Sequence, residues 1–246
     1  MERREYKEEK EMPEFAHGYE STVHKYISDD GEEVVLKKFR EKKDIDETKR
    51  IARNKEQKLE ILSSLNIPYF VQIKDLLFKN GILVGYTMPM VVGKQLDLFS
   101  KTEDKLKELH EIRKIMLELN SKGIYIGDYA EHNFFLLDDG TVICLDLDNY
   151  RIYSYGVKLD FDTLDLRSIS RFNQKCKKDE LIDRYCYNAQ IICLLGRYDL
   201  SKTNFWYMNK LPKGVINSEY NWDTINEMLL LGDNYQGNLL EIKRRN

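Results

Sequence analysis

From Phe15 to Phe39 apolar and polar side chains alternate as they do in strands. Residues 23–27 make one such run, and Asp29-Asp30-Gly31 has the chemistry of a hairpin turn. The segment EVVLKKF, residues 33–39, makes a second run. Val35, Lys37 and Phe39 fall on one of its faces, and Val34, Leu36 and Lys38 on the other. From about residue 44 to 65 the period becomes helical, with Ile51, Lys58, Ile61, Leu62 and Leu65 on one stripe. Asn66-Ile67-Pro68 ends that helix. Strands are predicted again over 71–78 and 82–88, joined by a turn at Asn80-Gly81, and Met90 to Gly93 lead out in extended form.

Beyond residue 100 the helical period dominates. Leu106, Leu109, Ile112, Ile115, Met116 and Leu119 are spaced for a helix over 105–121, which Lys122-Gly123 stops. A loop over 127–132 leads into a hairpin, FFLL then Asp138-Asp139-Gly140 then TVICLDL. A further buried helix is predicted over 180–195, ending at Gly196, and helix and loop over the last fifty residues. The expected class is therefore α+β. A strand-rich N-terminal part with one helix, an extended connector and a mostly helical C-terminal part would leave a cleft for a ligand.

Composition narrows the functional classes. The 246 residues are 42% hydrophobic and 33% charged, with a formal net charge of −3. The balance lacks the basic excess by which general nucleic-acid binding usually shows itself, so no clear nucleic-acid binding is expected. No stretch approaches the roughly 18 apolar residues of a membrane span, so no membrane partner is expected either. The first dozen residues, MERREYKEEKEM, hold no apolar signal core and are expected to be a solvated charged tail or a frayed helix. Cys144, Cys176, Cys186 and Cys193 form no C-x-x-C pair and have no histidine completing a zinc pattern. Cys144, Cys186 and Cys193 lie in apolar runs and are expected to be small buried hydrophobes, and the cysteine usage fits a reducing compartment, hence a cytoplasmic location.

The chemistry concentrates in G-D-Y-A-E-H-N-F-F-L-L-D-D-G-T-V-I-C-L-D-L-D, residues 127–148. Asp128 and Asn133 lie five apart in a loop, and Asp146 ends the hairpin that follows. A hairpin returns its ends to one place, so two carboxylates and an amide carbonyl converge. Such oxygen ligands suit Mg²⁺ or Mn²⁺ bound together with substrate phosphates.

These residues resemble the eukaryotic-type protein kinase family, whose catalytic loop reads H-R-D-x-x-x-x-N and is followed by D-F-G. Ile126-Gly127-Asp128 stands for H-R-D, Asn133 keeps the spacing, and Asp146-Leu147-Asp148 stands for D-F-G. The resemblance implies a two-lobed kinase-like fold, with residues 13–91 as N-lobe after a tail over 1–12 and residues 92–246 as C-lobe. It implies that Asp128 accepts the proton of the attacking hydroxyl, and that Asn133 and Asp146 hold Mg²⁺ on ATP. Asp148, in place of a glycine, would be a further metal ligand or a turn cap. Val34-Val35-Leu36-Lys37 resembles the family's V-A-I-K strand, so Lys37 would meet the α- and β-phosphates and Val35 would lie under the adenine. Aligning Val23 on the family's valine leaves Gly18 as the one glycine kept from its glycine-rich loop. Met88 and Met90 fall at the inter-lobe hinge, beside the adenine. Asp183 is either the acid that anchors the catalytic loop's backbone or a helix N-terminal acid.

The family pattern also breaks. Lys58 stands where the family has the glutamate that pairs with its strand lysine, leaving Glu56 or Glu60 as candidate substitutes. The His and Arg of H-R-D are absent, and Ala130 replaces the lysine usual in serine/threonine kinases. The expected function is an ATP-dependent phosphotransferase, an atypical serine/threonine kinase acting on a protein substrate. The alternatives are a small-molecule kinase of aminoglycoside or choline type, and a pseudokinase serving as a nucleotide-binding or scaffold module.

Overall fold

The computed structural model describes residues 1–18, 20–95, 102–127, 133–153, 183 and 187. The chain is mixed α+β and divides into two compact units. One holds residues 1–92 together with 145–148, and the other holds 93–144 and 149 onward. The division of the sequence near residue 92 did not provide for the short segment 145–148, which belongs with the first unit.

The first unit is built on six strands: β1 (Glu2–Glu5), β2 (Glu11–His17), β3 (Ser21–Ile27), β4 (Glu33–Phe39), β5 (Asp75–Lys79) and β6 (Ile82–Met88). Their order in the sheet is β1-β5-β6-β4-β3-β2, antiparallel except for the parallel β1–β5 pair. The β5–β6 turn is set by Asn80 at φ 54° and Gly81 at φ 75°. Two successive positive values suit a two-residue hairpin turn matched to strand twist. In β6 Gly85 is required by proximity, since a Cβ there would meet the Lys37 carbonyl oxygen at 2.3 Å. Strand β5 begins at Asp75 rather than at 71 as expected.

Helix α1 (Ile45–Ser64) starts at Asp44, whose carboxylate accepts from the N–H groups of Asp46 and Glu47. It packs against β6. Its buried face is Ala52, Lys55, Lys58, Leu59 and Leu62. That corrects the apolar stripe read from sequence, because Ile51, Ile61 and Leu65 are only half-buried. Lysines take their place where acidic partners lie beneath the helix.

The expectation of a solvated tail over residues 1–12 is also corrected. Glu2 to Glu5 add a parallel strand beside Asp75 to Phe78. Tyr6 is buried with Tyr26, Val34, Leu36 and Leu77 on the sheet face opposite Lys37, its ring stacked 6.3 Å from that of Tyr26. The charges that hid this strand are paired. Arg3 bonds Glu56 and Glu60, and its guanidinium lies 4.3 Å from the Phe78 ring centroid. Arg4 bonds Asp29 and Asp75.

The second unit contains β7 (Lys94–Gln95), α2 (Thr102–Ser121), β8 (Ile124–Tyr125), β9 (Phe134–Leu136), β10 (Val142–Cys144) and β11 (Arg151–Ile152). Strands β10, β9 and β7 form one small sheet, and β11 and β8 another. The apolar stripe of α2, Leu106, Leu109, Ile112, Ile115, Met116 and Leu119, is buried throughout. The C-terminal part is not mostly helical among the described residues, where one helix stands with five short strands. The helix expected over 180–195 and the last fifty residues lie outside the described residues, apart from Asp183 and Tyr187. No described helix is long and apolar enough to cross a membrane.

Candidate functional site

The register of the first sheet aligns the residues singled out along β3, β4 and β6. Lys37 lies opposite Val23 on one side and Tyr86 on the other, and Val35 lies opposite Met88. Directly paired residues point to the same face, as do i and i+2. Val23, Val35, Lys37, Tyr86 and Met88 therefore share one face. Val35 and Met88 are buried, Val23 is half-buried, and Met90, beyond the strand, is 47% exposed. Gly18 is exposed in the β2–β3 turn, where its N–H donates to the Ser21 carbonyl at 2.9 Å.

Lys37 is 4% exposed. An ammonium so deeply buried needs carboxylates, and two are supplied. Its Nζ donates to Asp146 Oδ1 at 2.7 Å and to Asp148 Oδ1 at 2.7 Å. Asp146 occupies the left-handed region at φ 57°, a conformation in which Asp is several-fold enriched. A short 3₁₀ turn, Leu147–Asn149, carries Asp148.

Asp148 is 1% exposed and both its oxygens accept hydrogen bonds. Oδ1 takes Lys37 and the Tyr86 hydroxyl, the latter at 3.3 Å, and Oδ2 takes the Lys55 ammonium. Lys58 Nζ donates to the Asp148 backbone carbonyl at 3.4 Å. Lys55 also reaches Glu20 Oε2 at 3.4 Å, with its Nζ 4.8 Å from the Phe39 ring centroid. The buried cluster thus sets the cations of Lys37, Lys55 and Lys58 against the anions of Asp146, Asp148 and Glu20.

The protonation states follow. Burial alone would depress Lys37, but the carboxylates of Asp146 and Asp148 outweigh it and hold the ammonium well above its ordinary value. Burial alone would raise Asp148, but Lys37 and Lys55 keep its carboxyl below the usual range. Burial, first of all, drives the Tyr86 phenol well above its ordinary value, so it stays a neutral donor.

This geometry answers which acid meets Lys37. Neither Glu56 nor Glu60 does, since both pair with Arg3. Both oxygens of Asp148 meet cations, and one a phenol as well, so the acid stands in this structure as the ion-pair partner of Lys37 and Lys55. Asp146, whose side chain is 30% exposed, fits the single-carboxylate contact that Mg²⁺ accepts. Among the described residues no group of three or more His, Cys, Asp or Glu is arranged to hold a metal.

In the second unit Asn133 is buried, just ahead of β9. Asp128 lies outside the described residues. The two residues before it are held firmly: Asp183, fully buried, accepts from Ile126 N at 2.7 Å through Oδ2 and from Gly127 N at 2.8 Å through Oδ1. Of the two readings of Asp183, the structure bears out the backbone anchor. One turn on, the Tyr187 hydroxyl donates to the Leu109 carbonyl of α2 at 2.8 Å.

Sequence reasoning missed Lys55, Tyr86 and Glu20. Lys55 had a signal, since it sits one helical turn before Lys58 and so on the same face. Tyr86 had none, being one aromatic residue in an apolar strand. No protein-family model matches the chain and no curated protein matches its sequence.

Proposed function

We propose that this protein is an ATP-dependent phosphotransferase with a compact, two-lobed, protein-kinase-like fold, acting on serine or threonine hydroxyls of a protein. The observation that carries the reading is the buried strand lysine. Lys37 is held at 2.7 Å by Asp146, the first acid of D-L-D, on a sheet face shared with Val23, Val35 and Met88. A cation fixed beside an apolar shelf is what a triphosphate joined to a flat base requires. Val23, Val35 and Met88 would take the adenine, with backbone groups near Met90 at its edge. Gly18 would let the β2–β3 turn approach the phosphates.

In the transfer the bond from the γ-phosphorus to the β–γ bridging oxygen breaks, and a bond to the acceptor hydroxyl oxygen forms. The electron pair leaves with ADP, and the hydroxyl proton passes to the Asp128 carboxylate. Lys37 stabilises charge on the phosphates without moving a proton. Mg²⁺ or Mn²⁺, held by Asp146 and Asn133, would neutralise the charge growing on the phosphate oxygens.

The test is transfer of label from γ-labelled ATP to protein acceptors and, separately, to hydroxylated metabolites. Transfer to protein is expected, with Asp128→Ala abolishing it and leaving nucleotide binding intact. Transfer to metabolites alone would replace the substrate class. ATP that gives neither transfer nor a thermal shift, with or without Mg²⁺, would sink the reading.

A further inference from the structure

We propose that Asp148 is the positioning residue for Lys37, with Lys55 as its clamp on α1, so that the charges between helix and strand are inverted relative to the usual acid on the helix. This rests on the phosphotransferase reading of the site. The face that α1 buries presents Lys55 and Lys58, while Glu56 and Glu60 are occupied by Arg3. An acid must therefore reach Lys37 from elsewhere, and the 3₁₀ turn carrying Asp148 supplies it at 2.7 Å. Asp146 also touches Lys37, but it is the more exposed acid and the one that fits a metal. Asp148 is the acid left to hold Lys37 throughout.

One carboxylate then joins three elements. Its Oδ1 fixes Lys37 of β4 and the hydroxyl of Tyr86 of β6, and its Oδ2 fixes Lys55 of α1. Lys55 extends the chain of alternating charge to Glu20 in the β2–β3 turn. Glu20 Oε1 is buried there without a hydrogen-bond partner among the described residues. A shift of α1 therefore pulls on the lysine that meets phosphate and on the turn proposed to cover it, through Asp148 in the first case and Lys55 in the second.

Two double variants of the full chain test this. Asp148→Asn/Lys55→Gln removes one buried charge of each sign, which keeps Lys37 paired with Asp146 and costs Glu20 its Lys55 contact. Asp148→Asn/Lys55→Glu also removes Asp148 but gives α1 an acid. Circular dichroism confirms folding. Mass spectrometry follows acylation of the Lys37 amine relative to the exposed Lys25, and steady-state kinetics give kcat and KM for ATP. In the first variant Lys37 acylation and the KM for ATP are expected to rise about tenfold, the worth of one charge-assisted hydrogen bond. In the second both are expected to fall back toward wild type. A merely structural Asp148 would leave the second variant no better than the first. That result overturns the proposal, as does Lys37 acylation at the wild-type rate in the first. Acylation is read without nucleotide, so a wild type that neither binds nor transfers phosphate defeats the phosphotransferase reading while Asp148 is still decided.

Discussion

Lys37 and Asp148 meet at 2.7 Å, with the lysine 4% and the acid 1% exposed. Burying both ions costs heavily, and the pair is retained only because further groups complete it. Tyr86 also donates to Asp148 Oδ1 and Lys55 to its Oδ2, and Asp146 shares Lys37. Removing the central acid alone should therefore cost far more than removing a surface pair. Asp148→Ala takes the shared carboxylate from two buried ammonium groups, leaving Asp146 to Lys37 and Glu20, at 3.4 Å, to Lys55. It is expected to lower unfolding free energy by about 3–5 kcal/mol. Urea denaturation measures it, and a loss below 1 kcal/mol, the scale of an exposed pair, would contradict the cluster.

The same cluster sets the pH range of stability. Asp148 is held below its ordinary value, against burial, by Lys37 and Lys55. Its contribution is present above the unfolded-state value near 3.9 and is lost as pH falls below that. Lys37 is held well above its ordinary value, against burial, by Asp146 and Asp148. Its contribution is present below about 10.4 and is lost as pH rises beyond that. Stability from this cluster should be flat between roughly pH 5 and 9 and fall on both sides. Asp148→Asn should lower the plateau and flatten the acid limb in unfolding curves taken across pH.

Gly85 tests the scaffold beneath Lys37. A Cβ at this position would fall 2.3 Å from the Lys37 carbonyl oxygen and 3.1 Å from the Lys38 Cα. Both are backbone atoms in a paired strand, so neither yields without disturbing the β4–β6 ladder. Gly85→Ala is expected to cost about 1–3 kcal/mol or more, as overpacking does, and, on the phosphotransferase reading proposed above, to weaken ATP binding by displacing Lys37. An unchanged melting temperature would show that the strands separate freely there.

How much of this was legible in the sequence depended on where charge fell. Glu33–Phe39 and Ile82–Met88 match their expected bounds because alternation and the Asp-Gly and Asn-Gly turns agree there. The helical period marks α1 from about residue 44, and the structure shows Asp44 to be its cap. Residues 2–5 read as a tail because ERRE shows no alternation, and only partners distant in sequence, Glu56, Asp75 and Phe78, make it a strand. The D-L-D segment is legible as chemistry, but its second acid reads as a metal ligand or a turn cap and not as a partner of Lys37. The cause is definite: Lys58 stands where an acid is expected on the helix, and nothing local reveals that the acid lies on the D-L-D turn instead. Lys55, one turn away, was the available clue.

Cys144 offers a contrast with the charged cluster. Its thiol is buried in β10, and burial pushes it up to about 12, the Tyr150 hydrogen bond pulling slightly the other way. At pH 8 it should be almost wholly protonated and shielded, hence unreactive. A maleimide titration of native protein followed by peptide mapping should leave Cys144 unmodified until denaturant is added. Rapid modification in the native state would show that β10 opens.

Asp183 gives the sharpest test of the second unit. Its two oxygens serve two different donors, Oδ2 for Ile126 N–H and Oδ1 for Gly127 N–H, with the acid fully buried. Asp183→Ala leaves both N–H groups without acceptors, at about 1–3 kcal/mol each. Asp183→Asn is nearly isosteric yet should fare poorly. It retains one acceptor oxygen and turns an NH₂ group, a donor, toward the other N–H. Hydrogen exchange should therefore quicken at both amides in the alanine variant and at one in the asparagine variant. On the phosphotransferase reading proposed above, in which Asp128 takes the hydroxyl proton, both variants should also lose phosphoryl transfer while keeping the Lys37 cluster and affinity for ATP. Exchange at Ile126 and Gly127 as slow in Asp183→Asn as in wild type would mean that some other group holds the segment leading to Asp128.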